Sequence, residues 1–295
     1  MKLVPKLPKK VQYLLEFSCP VINQLIVRKP FIGGRIGYPK DEVFGWLLVK
    51  KVTNWGYRTI AEMAGYSHST LVRGNQTFVR NNVYQKLVRK LVSVAYRNGL
   101  IKGKKVALDA SFVSTFSRKE EIGSKGWNEF KEGFGFKLHA LIDTETGIPI
   151  ALIMKDGLTH ESQVAIPLLK RARPWLKKAG YVLADKGYDD EDIVLFIAKQ
   201  LKAKAGIPIR KMPVNKRGKR KGNFQNWKLK AQGRTFKKSI YNFRSEVERF
   251  FSHLKRTYHL GSEETRGFEA FIGNAYLACI SFMLVKLYAV GVTYV

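Results

Sequence analysis

The sequence predicts a mixed α/β domain preceded by a helical region. Three observations carry that prediction. Up to about residue 100, apolar residues recur at helical spacing and halt at Asn98-Gly99. Beyond Leu100 the pattern changes to short apolar runs, two of which, residues 106–109 and 181–185, end in a carboxylate. Near the C-terminus, Tyr241, Arg244, Glu248 and Lys255 are spaced by three, four and seven residues, which puts all four on one stripe of a helix.

In the first hundred residues, helices are expected over 39–52 and 79–97. The second would carry Val79, Val83, Leu87, Leu91 and Val94 on one face. Between them runs YRTIAEMAGYSHSTLVR, residues 57–73. Thr59 and Glu62 fit a capping box that starts a short helix. Gly65 suits a tight turn. Ser67 can cap a second helix with His68, Ser69 and Arg73 outward, Leu71 inward, and the small Ala61 at the crossing. This reads as a helix-turn-helix whose second helix would enter the major groove. A plain helical hairpin in an assembly domain fits the same pattern. Gly74 stands where such units usually keep an apolar residue, which predicts a short second helix.

After the change of pattern, strands are expected over 106–109, 136–143 and 148–154. The last two flank Thr144-Glu145-Thr146-Gly147, a hairpin turn. A helix over 162–170, a strand over 181–185, a helix over 190–202 and a brief strand over 207–209 follow. A long helix then runs through Glu248, with Phe243, Val247, Phe250 and Leu254 as its core stripe. Glu246, two residues from Glu248, points to roughly the opposite side. The apolar run 275–285 is too short to span a bilayer and meets Lys286, so a buried helix is expected. This order suits a central sheet covered by helices. At 295 residues one or two domains are expected. The division falls at residues 1–100 and 101–295, with a basic insertion near 204–238.

The charge is extreme: 53 Lys+Arg against 23 Asp+Glu, a net +30 and a pI near 10.1. In a chain that is 45% hydrophobic, and so globular, that excess points to a polyanionic partner. A ribosomal or generally adhesive basic protein is the alternative. Between Ile193 and Ser245 there are sixteen Lys/Arg and no acidic residue. The densest part is Lys216, Arg217, Lys219, Arg220 and Lys221, followed by Phe224, Trp227 and Phe236. Basic residues interleaved with aromatics suit a surface that tracks a nucleic-acid strand. A solvated loop that binds DNA non-specifically fits equally. Cys19 and Cys279 form no metal-ligand pattern and suit a reducing compartment. Residues 1–10 hold two prolines among lysines and no continuous apolar core of a signal peptide. A cytoplasmic, nucleoid-associated location is therefore expected.

Asp109, Asp185 and Glu248 are the candidate chemical centre. Two end neighbouring apolar strands, and the third comes from a helix able to pack across the sheet. Converging carboxylates repel unless cations join them, and hard oxygen ligands suit Mg²⁺ or Mn²⁺. Two such ions about 4 Å apart can activate a water or a 3′-hydroxyl and stabilise the leaving oxygen of an in-line phosphoryl transfer. Singly, each residue has an ordinary structural reading: a turn or cap for the aspartates, a surface ion pair for the glutamate. Asp143, Asp156, Asp189 and Asp190 compete. Asp143 starts a turn, and Asp189 or Asp190 can cap the following helix.

Leu108-Asp109-Ala110-Ser111, then Ala184-Asp185-Lys186-Gly187-Tyr188-Asp189, then Tyr-x2-Arg-x3-Glu-x6-Lys at Tyr241, Arg244, Glu248 and Lys255 resemble the insertion-sequence transposases of the DDE type. The likeness covers roughly residues 104–287. Gly135-Phe136-Lys137-Leu138-His139 is also similar to a strand of that family. Glu161 follows His160 where the family commonly carries Asp. The resemblance implies an RNase H-like catalytic domain in which Asp109, Asp185 and Glu248 bind two divalent ions, Mg²⁺ or Mn²⁺. It implies that Tyr241, Arg244 and Lys255 help hold DNA near the cleavage site. The expected activity is cutting of the element's ends and joining of the freed 3′-hydroxyl to target DNA, by a homodimer or larger assembly. A nuclease that cuts without joining, and a catalytically silent DNA-binding protein, are the alternatives.

Overall fold

The computed structural model describes residues 38–114, 134–208, 238–261 and 267–292, with Gln12, Tyr13, Leu15, Glu16, Ile22, Gln24 and Leu25. In chain order come α1 (Lys40–Thr53), α2 (Tyr57–Ala64), α3 (His68–Arg80), α4 (Val83–Arg97), β1 (Lys105–Ser114), β2 (Gly135–Asp143) and β3 (Pro149–Asp156). These are followed by α5 (Glu161–Ala172), β4 (Tyr181–Leu183), α6 (Glu191–Gln200), β5 (Lys204–Gly206), α7 (Lys238–Tyr241), α8 (Ser245–Arg256) and α9 (Phe268–Ala289). The chain divides into two units. One comprises Met1–Asn98, Val113–Lys125 and Ser252–Val295, the other Gly99–Phe112 and Gly126–Phe251. Helix α9 groups with the N-terminal helices by its contacts.

In the first unit, α2 and α3 form the expected pair of helices about Gly65, which closes α2 at φ 68°. The Ser67 hydroxyl caps α3 by accepting from the Thr70 N–H at 3.3 Å. Three expectations change. The residue before α2 is Gly56, with no side-chain cap, so Thr59 lies inside the helix and makes no capping box. Helix α3 is 13 residues long, not short. A Cβ on Gly74 would stand 2.5 Å from Val43 Cγ1, so the glycine lets α3 lie directly against α1. The helix expected over 79–97 is broken at Asn81 and Asn82, the latter at φ 55°, and α4 starts at Val83.

Helix α9 is 22 residues long and apolar enough to cross a bilayer by length and composition, yet 78% of its most apolar stretch is buried. It packs on α1, α3 and α4. Its Tyr276 ring stacks on Tyr84, whose hydroxyl donates to the buried Asn75 Oδ1 at 2.7 Å.

The second unit is built on a five-stranded sheet in the order β3-β2-β1-β4-β5. Strands β2 and β3 are antiparallel, whereas β1, β4 and β5 run parallel. This is a mixed sheet in a mixed α/β unit, as expected. Nearly every residue of β2 and the first six of β3 are buried, the mark of strands covered on both faces. The hairpin turn is held by Asp143. Its Oδ1 accepts from the Glu145 and Thr146 N–H groups, and its Oδ2 from those of Lys102 and Gly103. Asp190 caps α6 through the Asp192 and Ile193 N–H groups. Asp156 accepts from the Leu158 and Thr159 N–H groups. The brief strand expected at 207–209 lies three residues earlier, as β5.

Candidate active site

Parallel strands β1 and β4 pair Lys105 with Tyr181, Val106 with Val182 and Ala107 with Leu183. Two residues past the last pair on each strand come Asp109 and Asp185. Equal offsets from a parallel register carry both to the same end of the sheet. Asp109 does not end its strand as expected: β1 continues to Ser114. Its Oδ1 accepts from the Ala110 N–H at 2.8 Å. Strand β4 does stop, and Asp185 caps a single 3₁₀ turn, Lys186–Tyr188, by accepting from the Gly187 N–H at 2.7 Å. A Cβ on Gly187 would meet Asp185 Oδ1 at 2.8 Å, so only glycine leaves that carboxylate where it is.

The expected long helix through Glu248 is interrupted. Helix α7 ends at Tyr241, Asn242–Arg244 form a 3₁₀ turn, and α8 begins at Ser245. Three residues at 3.0 per turn advance about 60° further than three at 3.6. Phe243 is therefore rotated out of the core stripe. It is 39% exposed and covered by the Lys105 ammonium, 3.7 Å from its ring centre. Val247, Phe250 and Leu254 are buried as expected.

Arg244 joins the carboxylates. Its Nη1 donates to Asp109 Oδ2 at 3.3 Å, and its Nη2 donates to Glu248 Oε1. The Tyr241 ring centre lies 5.8 Å from the guanidinium carbon. Glu246 is turned away and pairs with Arg249 at 2.5 Å. Burial pushes the Asp109 carboxyl up to about 6; the Ala110 N–H and the Arg244 charge oppose this, and the charges of Asp185 and Glu248 add to it. The three carboxylates thus share one electrostatic neighbourhood.

Three further groups, present in the quoted motifs but given no role from sequence, take defined positions in or near the site. Tyr188 is buried, its hydroxyl has no hydrogen-bond partner among the described residues, and burial together with the charges of Asp109, Glu161 and Asp185 raises its pKa well above the ordinary value. Gly187 holds room for Asp185 as described. Lys137 on β2 donates to Glu161 Oε1 at 2.9 Å and to the Thr159 carbonyl at 3.1 Å, tying the strand to the start of α5.

Lys255 is exposed, seven residues beyond Glu248 on α8. His68 and Arg73 are exposed on α3, and the Ser69 hydroxyl lies 2.8 Å from that of the capping Ser67. Lys216, Arg217, Lys219, Arg220 and Lys221, with Phe224, Trp227 and Phe236, lie outside the described residues.

Three carboxylates make a donor set that fits a hard divalent cation. Among the described residues, however, no three His, Cys, Asp or Glu side chains are gathered closely enough to hold one ion. Arg244 holds an oxygen of two of the three.

The family described as the transposase DDE domain matches residues 102–284. A putative transposase for insertion sequence element IS6501 from Brucella ovis is 29% identical over 143 residues, 48% of this chain and 93% of that protein. The chain also resembles the piggyBac transposase in its synaptic complex with hairpin DNA, solved by cryo-electron microscopy. The TM-score is 0.50 at 11% identity, covering 97% of this chain and 74% of that one.

Proposed function

The chain belongs to the transposases that carry a DDE domain, and on that premise we propose that it binds the ends of its own element, cuts them by metal-dependent phosphodiester hydrolysis and joins the freed 3′-hydroxyl to target DNA. Asp109, Asp185 and Glu248 would hold two Mg²⁺ or Mn²⁺ ions. When bound, such ions lower the pKa of an attacking water or hydroxyl and stabilise the leaving oxygen. The observation that carries this reading is the equal offset of Asp109 and Asp185 from the β1–β4 register, with Arg244 linking Asp109 to Glu248.

The remaining work falls to the chain's own groups. The planar guanidinium of Arg244 matches a phosphate as well as a carboxylate, so it orients the backbone at the cleavage point, backed by the Tyr241 ring. Lys255 supplies a point charge along the strand. The basic tract Lys216 to Lys221 neutralises phosphates on either side, which makes binding steeply salt-dependent. His68, Ser69 and Arg73 on α3 read the major groove. Because two ends must be brought together, the working form is a dimer or larger assembly on DNA, at the nucleoid.

The deciding experiment incubates DNA spanning the gene's own flanks with Mg²⁺ and compares the wild type with Asp185→Asn. Nicks at inverted repeats plus joined products, both lost in the variant, are expected. Cutting without joining would replace this reading with a nuclease. Binding with no cutting, under Mg²⁺ or Mn²⁺, would leave a silent DNA-binding protein.

A further inference from the structure

We propose that Arg244 is an exchangeable counter-cation that couples metal binding to DNA binding. Without DNA its guanidinium occupies Asp109 Oδ2 and Glu248 Oε1, oxygens that a divalent ion needs. A DNA phosphate takes the guanidinium and releases them. The inference rests on the metal-dependent reading above and adds a device to it.

Two independent observations lead here. The first is the bridge itself. Arg244 and Asp109 are both mostly buried, with side chains 20% and 21% exposed. Between them, Asp109 and Glu248 commit one oxygen each to one cation. The second is the state of the carboxylates as ligands: no three acidic, His or Cys side chains among the described residues stand ready for one ion. Asp185 Oδ1 is likewise engaged, by the Gly187 N–H. In this arrangement one guanidinium offsets part of the carboxylate charge and engages an oxygen of two of the three groups.

The position of Arg244 suits it to leave. It ends a single 3₁₀ turn between two helices, where hydrogen-bond geometry is poorer than in an α-helix. Glu248, its partner on α8, has a side chain 56% exposed, so that bond is open to competition. The guanidinium fork pairs with phosphate as it does with carboxylate, so the exchange conserves its hydrogen bonds. Linkage then requires reciprocity: if phosphate improves the site for metal, metal improves it for phosphate by the same factor. The result is an enzyme that does not load its ions until DNA is in place.

The test measures Mn²⁺ binding by the loss of the free-ion electron paramagnetic resonance signal. It uses the full chain, with and without a duplex from the gene's flank. Without DNA, Arg244→Gln should bind Mn²⁺ about tenfold tighter than the wild type. The duplex should tighten the wild type by a similar factor and leave the variant nearly unchanged. Arg244→Lys keeps the charge but not the fork and should fall between; it carries the comparison if circular dichroism shows the glutamine variant unfolded. Equal Mn²⁺ affinity of wild type and variant without DNA, or equal tightening of both by DNA, overturns the counter-cation. No Mn²⁺ binding by either protein under any condition overturns the metal-dependent reading as well, which separates the two failures.

Discussion

Arg244 donates to Asp109, 135 positions earlier in the chain, while also pairing with Glu248 one helical turn ahead. The second contact follows from helical spacing. The first depends on the sheet, which carries Asp109 to the end where the α7–α8 turn delivers Arg244. One cation therefore reports on two carboxylates with separate origins in the chain.

The two glutamates at the start of α8 should behave differently. Glu248→Gln removes a proposed ligand and should lower strand cleavage by more than the ~10–100-fold typical of changes around a metal's ligands. Glu246 only pairs with the exposed Arg249, a contact of small value, so Glu246→Gln should stay within about threefold of wild type. A cleavage assay on the two variants decides; equal loss would sink the assignment of faces.

Gly187→Ala probes the room left for Asp185. The added Cβ would sit 2.8 Å from Asp185 Oδ1, and the carboxylate, the tip of a flexible side chain, must give way. The chain should fold with a melting temperature within about 2–4 °C of wild type, whereas cleavage should fall about 10- to 100-fold, the cost of a misplaced reacting group. Full activity would show that Asp185 tolerates the shift.

His139 sets a pH dependence of folding. Both ring nitrogens are buried without a hydrogen-bond partner among the described residues. Burial holds its pKa down at about 4; the Glu161 charge opposes this, and the Lys137 and Lys155 charges assist it. The ordinary value is 6.5, so between 6.5 and about 4 the unfolded chain takes up the proton that the folded chain refuses. The stability this residue contributes is complete above pH 6.5 and is lost as the pH falls through that window. His139→Gln, neutral throughout, should lose less stability than wild type between pH 7 and 4.5 in urea melts. Parallel curves would mean that the imidazole takes up its proton equally readily in the folded and the unfolded chain.

Much of this protein was legible in its residues. Strands and helices of the catalytic half were found because burial on both faces leaves long apolar runs, as in β2 and β3, and because Asp143 and Asp190 stand where a turn and a helix must begin. The spacing of Arg244 and Glu248 disclosed their contact, since neighbours one turn apart meet in any helix. The errors have one physical source: local rules do not know what packs nearby. Gly74 reads as a helix end until Val43 lies against it. Phe243 reads as core until a 3₁₀ turn rotates it outward. Asp109 reads as the last residue of a strand because the apolar run ends there, yet β1 continues to Ser114.

The residues alone determined the basic character and the shared helix stripe of Arg244 and Glu248, because each is a matter of composition or short spacing, and their motifs carried the family resemblance. Only the tertiary structure decided that α9 packs with the N-terminal helices, that the buried Tyr188 lies within the field of Asp109 and Asp185, and that Arg244 reaches Asp109. Each of those depends on contacts between segments far apart in the chain. Such contacts are selected by burial and charge across the whole fold, and no local spacing encodes them.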